Sequence, residues 1–419
     1  MRSRLSWHTA TTAQLQGAYP WLADAGLGTS GLYVGRNLGS AAFCYCPFDL
    51  YARRLLTNPN MLVLGQLGFG KSALVKSLVW RQLAFGRSAF IADPRGEYTA
   101  LAAAAGVQPI RLGPGEPARL NPFDLAAGDD DGEPLRLASA LAATTLDRPL
   151  APIESAALDD AVLAARRGDT TLLLPRLSDR LLHPDRAAAE AVHLPYADYV
   201  TATRDVALAL RRCCTGDLAG MFDAPSTVRL NPAAPLVSLD LSPVYLRHRA
   251  ALPLVMLAAT AWVQAAIRRT PGSQRLVVLD EAWALLTHLA TARWLQQSYK
   301  LARAHGVAHI AVLHRLSDLS TAGDAGSEQV ALAAGLLCDI GTAVVYNQPA
   351  AEVPDTARLL GLPDTQSELL PTLRPGTALW RVAGRAFLVD HVLSPLEREL
   401  CDTDAGMTGR EITPTAAGT

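Results

Sequence analysis

Three stretches of this sequence place side chains at spacings suited to phosphate chemistry. Gly65-Gln66-Leu67-Gly68-Phe69-Gly70-Lys71-Ser72 fits the pattern G-x-x-x-x-G-K-[ST] and is followed by Ala73. In such a loop the glycines let backbone N–H groups close around a polyphosphate, the lysine meets the β and γ phosphates, and the hydroxyl is offered to Mg²⁺. Only three lysines occur, Lys71, Lys76 and Lys300, and arginine supplies the remaining fixed positive charge. A lysine at this one spacing therefore points to a site that needs a compact ammonium. Downstream, the apolar run Arg275-Leu276-Val277-Val278-Leu279 ends on Asp280-Glu281. Asp280 at a strand tip would hold Mg²⁺ through its water shell, and Glu281 would polarise a water attacking the γ phosphate. Many strands end in acids, so the glycine loop upstream is what gives this pair its weight.

His314 closes the run Val307 to Leu313, a place where a polar side chain can sense a γ phosphate; the alternative is a structural histidine. Arg303 and Arg315 flank it, and in a ring of subunits an arginine from one protomer can offset charge at the neighbour's γ phosphate. Arg303 is the preferred candidate for that role. Asp93, at the tip of Ser88 to Asp93, either assists metal or water or caps the following helix. A competing reading takes Gly68-Phe69-Gly70-Lys71-Ser72-Ala73 as the dinucleotide fingerprint G-x-G-x-x-A, with Asp93 as the ribose-binding acid. That reading gives Lys71 no purpose and leaves Asp280-Glu281 unexplained.

These groups need strands to carry them. Met61 to Leu64 reads as a short buried strand and Ala73 to Leu83 as the helix after the loop. Gly31 to Leu50 reads as extended segments, a hairpin covering one edge; further strands are expected at Ser88–Asp93, Gln108–Leu112, Leu236–Ser242, Arg275–Trp283 and Val307–Leu313. Helices are expected at 250–267 and Ala292–His305, and closing strands at 340–346, 377–382 and 385–392. Between them, Pro134 to Met221 changes to Ala, Leu and Arg at helical spacing, broken at Pro152, Pro175, Pro184 and Pro195. The acidic turn 128–133 lacks the bidentate glutamate of a calcium loop and reads as solvent-exposed. Repeated β-α alternation on both sides of the helical stretch predicts an α/β fold with a mostly parallel sheet, helices on both faces and an all-α insertion. The expected divisions are an extension at 1–30, a first ATPase part at 31–133, the insertion at 134–224, a second part at 225–398 and a mobile tail at 399–419.

The totals bound the partners. The chain has 419 residues, is 50% hydrophobic and carries a formal net charge of −1, so no global basic field recruits nucleic acid. A DNA contact would need a local patch such as Arg53-Arg54, Arg166-Arg167 or Arg211-Arg212, and such pairs read as solvated helix faces. Six cysteines without paired knuckles read as core residues of a reduced compartment. Met1 to Ala10 lacks the apolar region of a signal peptide, and 250–267, followed by Arg268-Arg269, reads as a core helix rather than a membrane span.

Together these motifs resemble the HerA and FtsK superfamily of motor ATPases. Gly65 to Ser72 matches its P-loop, Asp93-Pro94-Arg95-Gly96-Glu97-Tyr98 resembles its D-P-x-G-E-Y turn, and Asp280-Glu281-Ala282-Trp283 its D-E-x-W acid pair. Ala302-Arg303-Ala304-His305-Gly306 through His314-Arg315-Leu316-Ser317-Asp318 is similar to A-R-A-x-G and the following T-Q-x-x-x-D. Asn121-Pro122-Phe123, Gly220-Met221-Phe222-Asp223 and Asp240-Leu241-Ser242 point within it to the TraC and VirB kind of conjugative ATPase. The resemblance spans residues 30 to 398 and implies a RecA-like P-loop NTPase that takes ATP and Mg²⁺ and works as a hexameric ring. It further implies a motor that energises type IV secretion channel components from the cytoplasmic inner face of the cell membrane. Two departures from the resemblance stand out: the family's sensor glutamine is His314 here, and the reading expects its amino-terminal domain to be absent or reduced to the first thirty residues, in which case channel docking would need another subunit. The competing functions are a DNA-translocating coupling-protein motor and a nucleotide-binding assembly subunit with little hydrolysis.

Overall fold

The computed structural model describes residues 26–37, 41–124, 132–167, 171–228, 231, 234–269, 272–316, 328–338 and 340–402. Most of the 1–30 extension, residues 128–131 of the acidic turn, Ser317-Asp318 and the tail from 403 lie outside that set.

Eleven strands form one sheet: β1 Leu32–Asn37, β2 Ala42–Tyr45, β3 Met61–Leu64, β4 Ser88–Asp93, β5 Ile110–Arg111, β6 Leu236–Asp240, β7 Arg275–Leu279, β8 Val307–Leu313, β9 Thr342–Val345, β10 Thr377–Val382 and β11 Arg385–His391. Their order is β2-β1-β11-β10-β9-β3-β8-β7-β4-β6-β5. From β9 to β5 all neighbours are parallel, and from β9 to β2 all are antiparallel. The expected mostly parallel sheet is observed, with the β1–β2 hairpin at one edge.

The parallel strands are buried on both faces because helices cover both. Residues alternate along each strand, so Leu62 and Leu64 of β3 enter one core while Met61 and Val63 enter the other. The first core receives helix Leu252–Arg268 and the insertion; the second receives helix Lys71–Ala84. Helix Leu252–Arg268 is buried over nearly its whole length, as the packing between a sheet and an outer helical layer demands. Among the described residues, the chain from Glu133 to Leu218 contains helices only, including Glu133–Leu146, Pro152–Arg167, Leu174–Leu182 and Tyr196–Arg212.

Four segments are among those that depart from expectation. The strand expected at 108–112 is only Ile110–Arg111, since Pro109 has no N–H to donate at this sheet edge. Helix Leu289–Ala302 starts and stops three residues before its expected limits. Helices Glu328–Cys338 and Val353–Leu360 were not anticipated; they connect β8 to β9 and β9 to β10.

Candidate functional site

All the chemistry-bearing groups except Arg303 come to the carboxyl edge of the parallel strands, where open α/β sheets bind ligands. Strand order decides between the two readings of the glycine loop. In a dinucleotide fold the strand after the glycine turn lies next to the first. Here β4 is separated from β3 by β8 and β7. The other premise fails too: Asp93 Oδ1 accepts from the backbone N–H groups of Gly96 (2.8 Å), Glu97 (3.0 Å) and Arg95 (3.3 Å), and Oδ2 from Tyr98 (2.9 Å). Asp93 organises its own turn and is not free for a ribose.

The loop itself is shaped by backbone conformations that only glycine takes without strain. Gly65 has φ +152°, and a Cβ there would lie 2.5 Å from the Tyr346 Cβ. Gly70, at φ +104°, precedes helix Lys71–Ala84. That helix start has no side-chain cap and no acidic residue in its first turn. Its leading N–H groups and the positive end of its dipole are thus left for an anion. The loop is anchored from outside, with Gln66 N donating to Asn347 O (3.0 Å) and Gly376 N to Phe69 O (3.0 Å). Leu67 and Gly68 are exposed at its tip, Phe69 is half-buried, and Ser72 and Ala73 are half-buried in the first helical turn.

Lys71 is buried and donates to the carbonyls of Gly65 and Gln66, the latter at 2.8 Å. Burial lowers its pKa to about 8, opposed by the negative field of Asp280 and Glu281. Asp280, 4% exposed, is pushed up to about 7 by burial and by the neighbouring Glu281, Asp93 and Glu97 carboxylates. A buried ammonium thus lies in the field of two buried carboxylates. The donor set fits a magnesium nucleotide: an uncapped helix start and Lys71 for phosphate oxygens, Ser72 and Asp280 for a hard cation.

His314 follows the last residue of β8, the strand between the P-loop strand β3 and the acid-pair strand β7. Its Nε2 lies 2.9 Å from Glu281 Oε1. Glu281 Oε2 accepts from Trp283 Nε1, and Arg95 Nη1 stands 3.8 Å from Oε1 while its Nε pairs with Glu97 at 3.1 Å. Burial raises the Glu281 pKa, but His314, Trp283 and Arg95 outweigh it and hold the carboxyl below its ordinary value. The backbone of Glu281 is left-handed, φ +53°, which costs energy in a residue with a Cβ and is common where function fixes the geometry.

Arg303 is exposed beyond the opposite end of β8, roughly 20 Å from His314 at ordinary strand rise. Arg315 is exposed beside His314. Sequence reasoning assigned no role to Arg95, Trp283 or Tyr346. The signals were present, since Arg95 lies inside the Asp93–Tyr98 turn and Trp283 two residues after Glu281, but nothing along the chain says that both converge on one carboxylate.

The strand order and the glycine loop give the chain a RecA-like P-loop NTPase fold. VirB4 of Thermoanaerobacter pseudethanolicus has the same fold, with a TM-score of 0.73 at 18% identity over 88% of this chain and 98% of that one. The plasmid coupling protein TrwB in complex with a non-hydrolysable ATP analogue gives a TM-score of 0.60 at 16% identity, covering 87% of this chain and 90% of that one. TrwB in complex with ADP and Mg²⁺ gives 0.57 at 17% identity over 80% and 86%. No protein-family model and no curated protein sequence matches the chain.

Proposed function

We propose that this chain binds and hydrolyses ATP as a motor that energises a conjugative, type IV secretion apparatus. The observation that carries the ATPase part is the uncapped start of helix Lys71–Ala84, with buried Lys71 set against Asp280 and Glu281. The N–H groups of the loop and first helical turn bind phosphate oxygens. Lys71 leaves the carbonyls of Gly65 and Gln66 for the β and γ phosphates, gaining a charged partner in a dry site. Ser72 and Asp280 hold Mg²⁺, which when bound neutralises charge developing on the phosphates. Glu281 orients the attacking water and takes up its proton as ATP and water become ADP and phosphate. The secretion part is supported by the shared fold with VirB4 and with TrwB, described as a conjugative coupling protein.

In this reading the working form is a homo-oligomeric ring, hexameric by the sequence resemblance, at the cytoplasmic face of the cell membrane, with Arg303 reaching a neighbour's nucleotide. ATP turnover by the purified chain, Lys71→Ala and Glu281→Gln tests the central claim. Wild type is expected to turn over ATP, and both variants to fall by about 100-fold or more. Glu281→Gln keeps nucleotide binding and Lys71→Ala loses it. Equal background rates in all three would overturn the assignment.

A further inference from the structure

Glu281 is withheld in this structure. Its carboxylate is 2% exposed, Oε1 is engaged by His314 Nε2 at 2.9 Å with Arg95 beyond it at 3.8 Å, and Oε2 is engaged by Trp283 Nε1. Each oxygen keeps a further lone pair, but at this burial an attacking water reaches one only where a donor moves aside. His314 belongs to the same strand edge as the nucleotide loop, so its bond reads the phosphate side. Trp283 faces elsewhere. The guanidinium of Arg249 lies 5.1 Å from the centre of the Trp283 ring system and 5.2 Å from that of Tyr245. A cation over the face of an indole fixes the ring's orientation and draws electron density from it, which strengthens the N–H as a donor. Arg249 is exposed and sits on a surface segment just past β6, in which Leu246 is 78% exposed and Arg247 is also exposed. A continuous chain of contacts therefore runs from this segment through Arg249 and Trp283 to the carboxylate.

We propose that Trp283 is a positioning residue that holds Glu281 back from the attacking water, and that Arg249 is the surface handle setting the strength of that hold. The inference rests on the ATPase reading above. Losing the indole donor frees Oε2, whereas losing Arg249 only loosens the ring that carries the donor. Both effects fall on the chemical step and not on nucleotide affinity, since neither residue is part of the loop or the helix start.

Steady-state ATP turnover of the full chain tests this. Trp283→Phe keeps an aromatic ring but donates no hydrogen bond, and its kcat is expected to rise about tenfold with KM unchanged. Arg249→Ala is expected to raise kcat about threefold, with Arg249→Lys, which keeps a cation over the ring, falling between it and wild type. The double variant should match Trp283→Phe alone, because the two act through one bond. Arg249→Ala should also change the tryptophan emission spectrum, and that change should be absent in the Trp283→Phe background, which checks that the effect passes through the ring. A kcat that falls or stays the same in Trp283→Phe, or effects that add in the double variant, overturns the proposal while leaving the ATPase reading standing. Background turnover in both wild type and Trp283→Phe overturns both. Should Trp283→Phe fail to fold, as judged by its thermal melt, the exposed Arg249 variants decide: no rise in Arg249→Ala overturns the proposal.

Discussion

Asp280 carries its charge against its surroundings. An ordinary aspartate titrates at about 3.9, and burial beside three carboxylates moves this one to about 7. Between those values the folded chain binds more protons than the unfolded one, so this group's contribution to stability falls as pH rises. It is undiminished below about pH 4 and fully lost above about pH 7. Asp280→Asn removes the ionisation, and without nucleotide or Mg²⁺ its melting temperature is expected to exceed wild type by about 3 °C at pH 8, with no gain at pH 4. Thermal melts at the two pH values check this; an equal shift at both would deny the burial of charge. Mg²⁺ would offset the same penalty, so a residue that destabilises the empty fold becomes favourable when the site is filled. Asp280 and Glu281 were legible in the sequence because an apolar strand must end somewhere and these acids are its end. The contact of Glu281 with His314 was not, because it depends on β8 lying beside β7, a fact of strand order that no local spacing encodes.

The helix that begins at Lys71 is fastened at its far end by Arg81. That guanidinium holds both oxygens of Glu397, one at 2.7 Å, and donates to the carbonyls of Val392 and Tyr33, the former at 2.6 Å. Glu397 is nearly buried and also closes the capping box with Ser394 at the start of helix Pro395–Cys401. Removing one member of so dry a pair strands the other. Arg81→Ala is therefore expected to cost about 3 kcal/mol in urea unfolding at pH 7, where Glu397 is ionised in both states. A loss under about 1 kcal/mol would show that the cluster is solvated. Sequence reading placed the helix after the P-loop, extended segments over Gly31 to Leu50 and closing strands near the C-terminus. It could not see that one arginine ties them together, since Tyr33, Arg81 and Glu397 share no periodic signal.

For the molecule as a whole, much of the parallel half of the sheet was legible because β4, β6, β7 and β8 read as apolar runs ending at Asp93, Asp240, Asp280 and His314, and β3 as an apolar run ending at the glycine loop. Helix Glu328–Cys338 carries a legible run of Ala and Leu that the sequence reading passed over, whereas Val353–Leu360 is only eight residues long with a proline in its first turn. The proposed ring places Arg303 in a site completed by a neighbour, since it lies at the wrong end of β8 to serve its own. Arg303→Ala is expected to bind ATP normally and lose at least about tenfold in turnover. Mixing it with inactive Lys71→Ala should recover activity, since each protomer then supplies what the other lacks. No recovery would exclude a role across subunits. The Arg81 fastening has a mechanical meaning as well. Strands β1 and β11 and helix Pro395–Cys401 are all bound to the back of the helix whose front end holds the phosphate cradle. A pull on any of these flanking segments is thus transmitted as load along that helix, and the proposed nucleotide site lies directly in the path of the force.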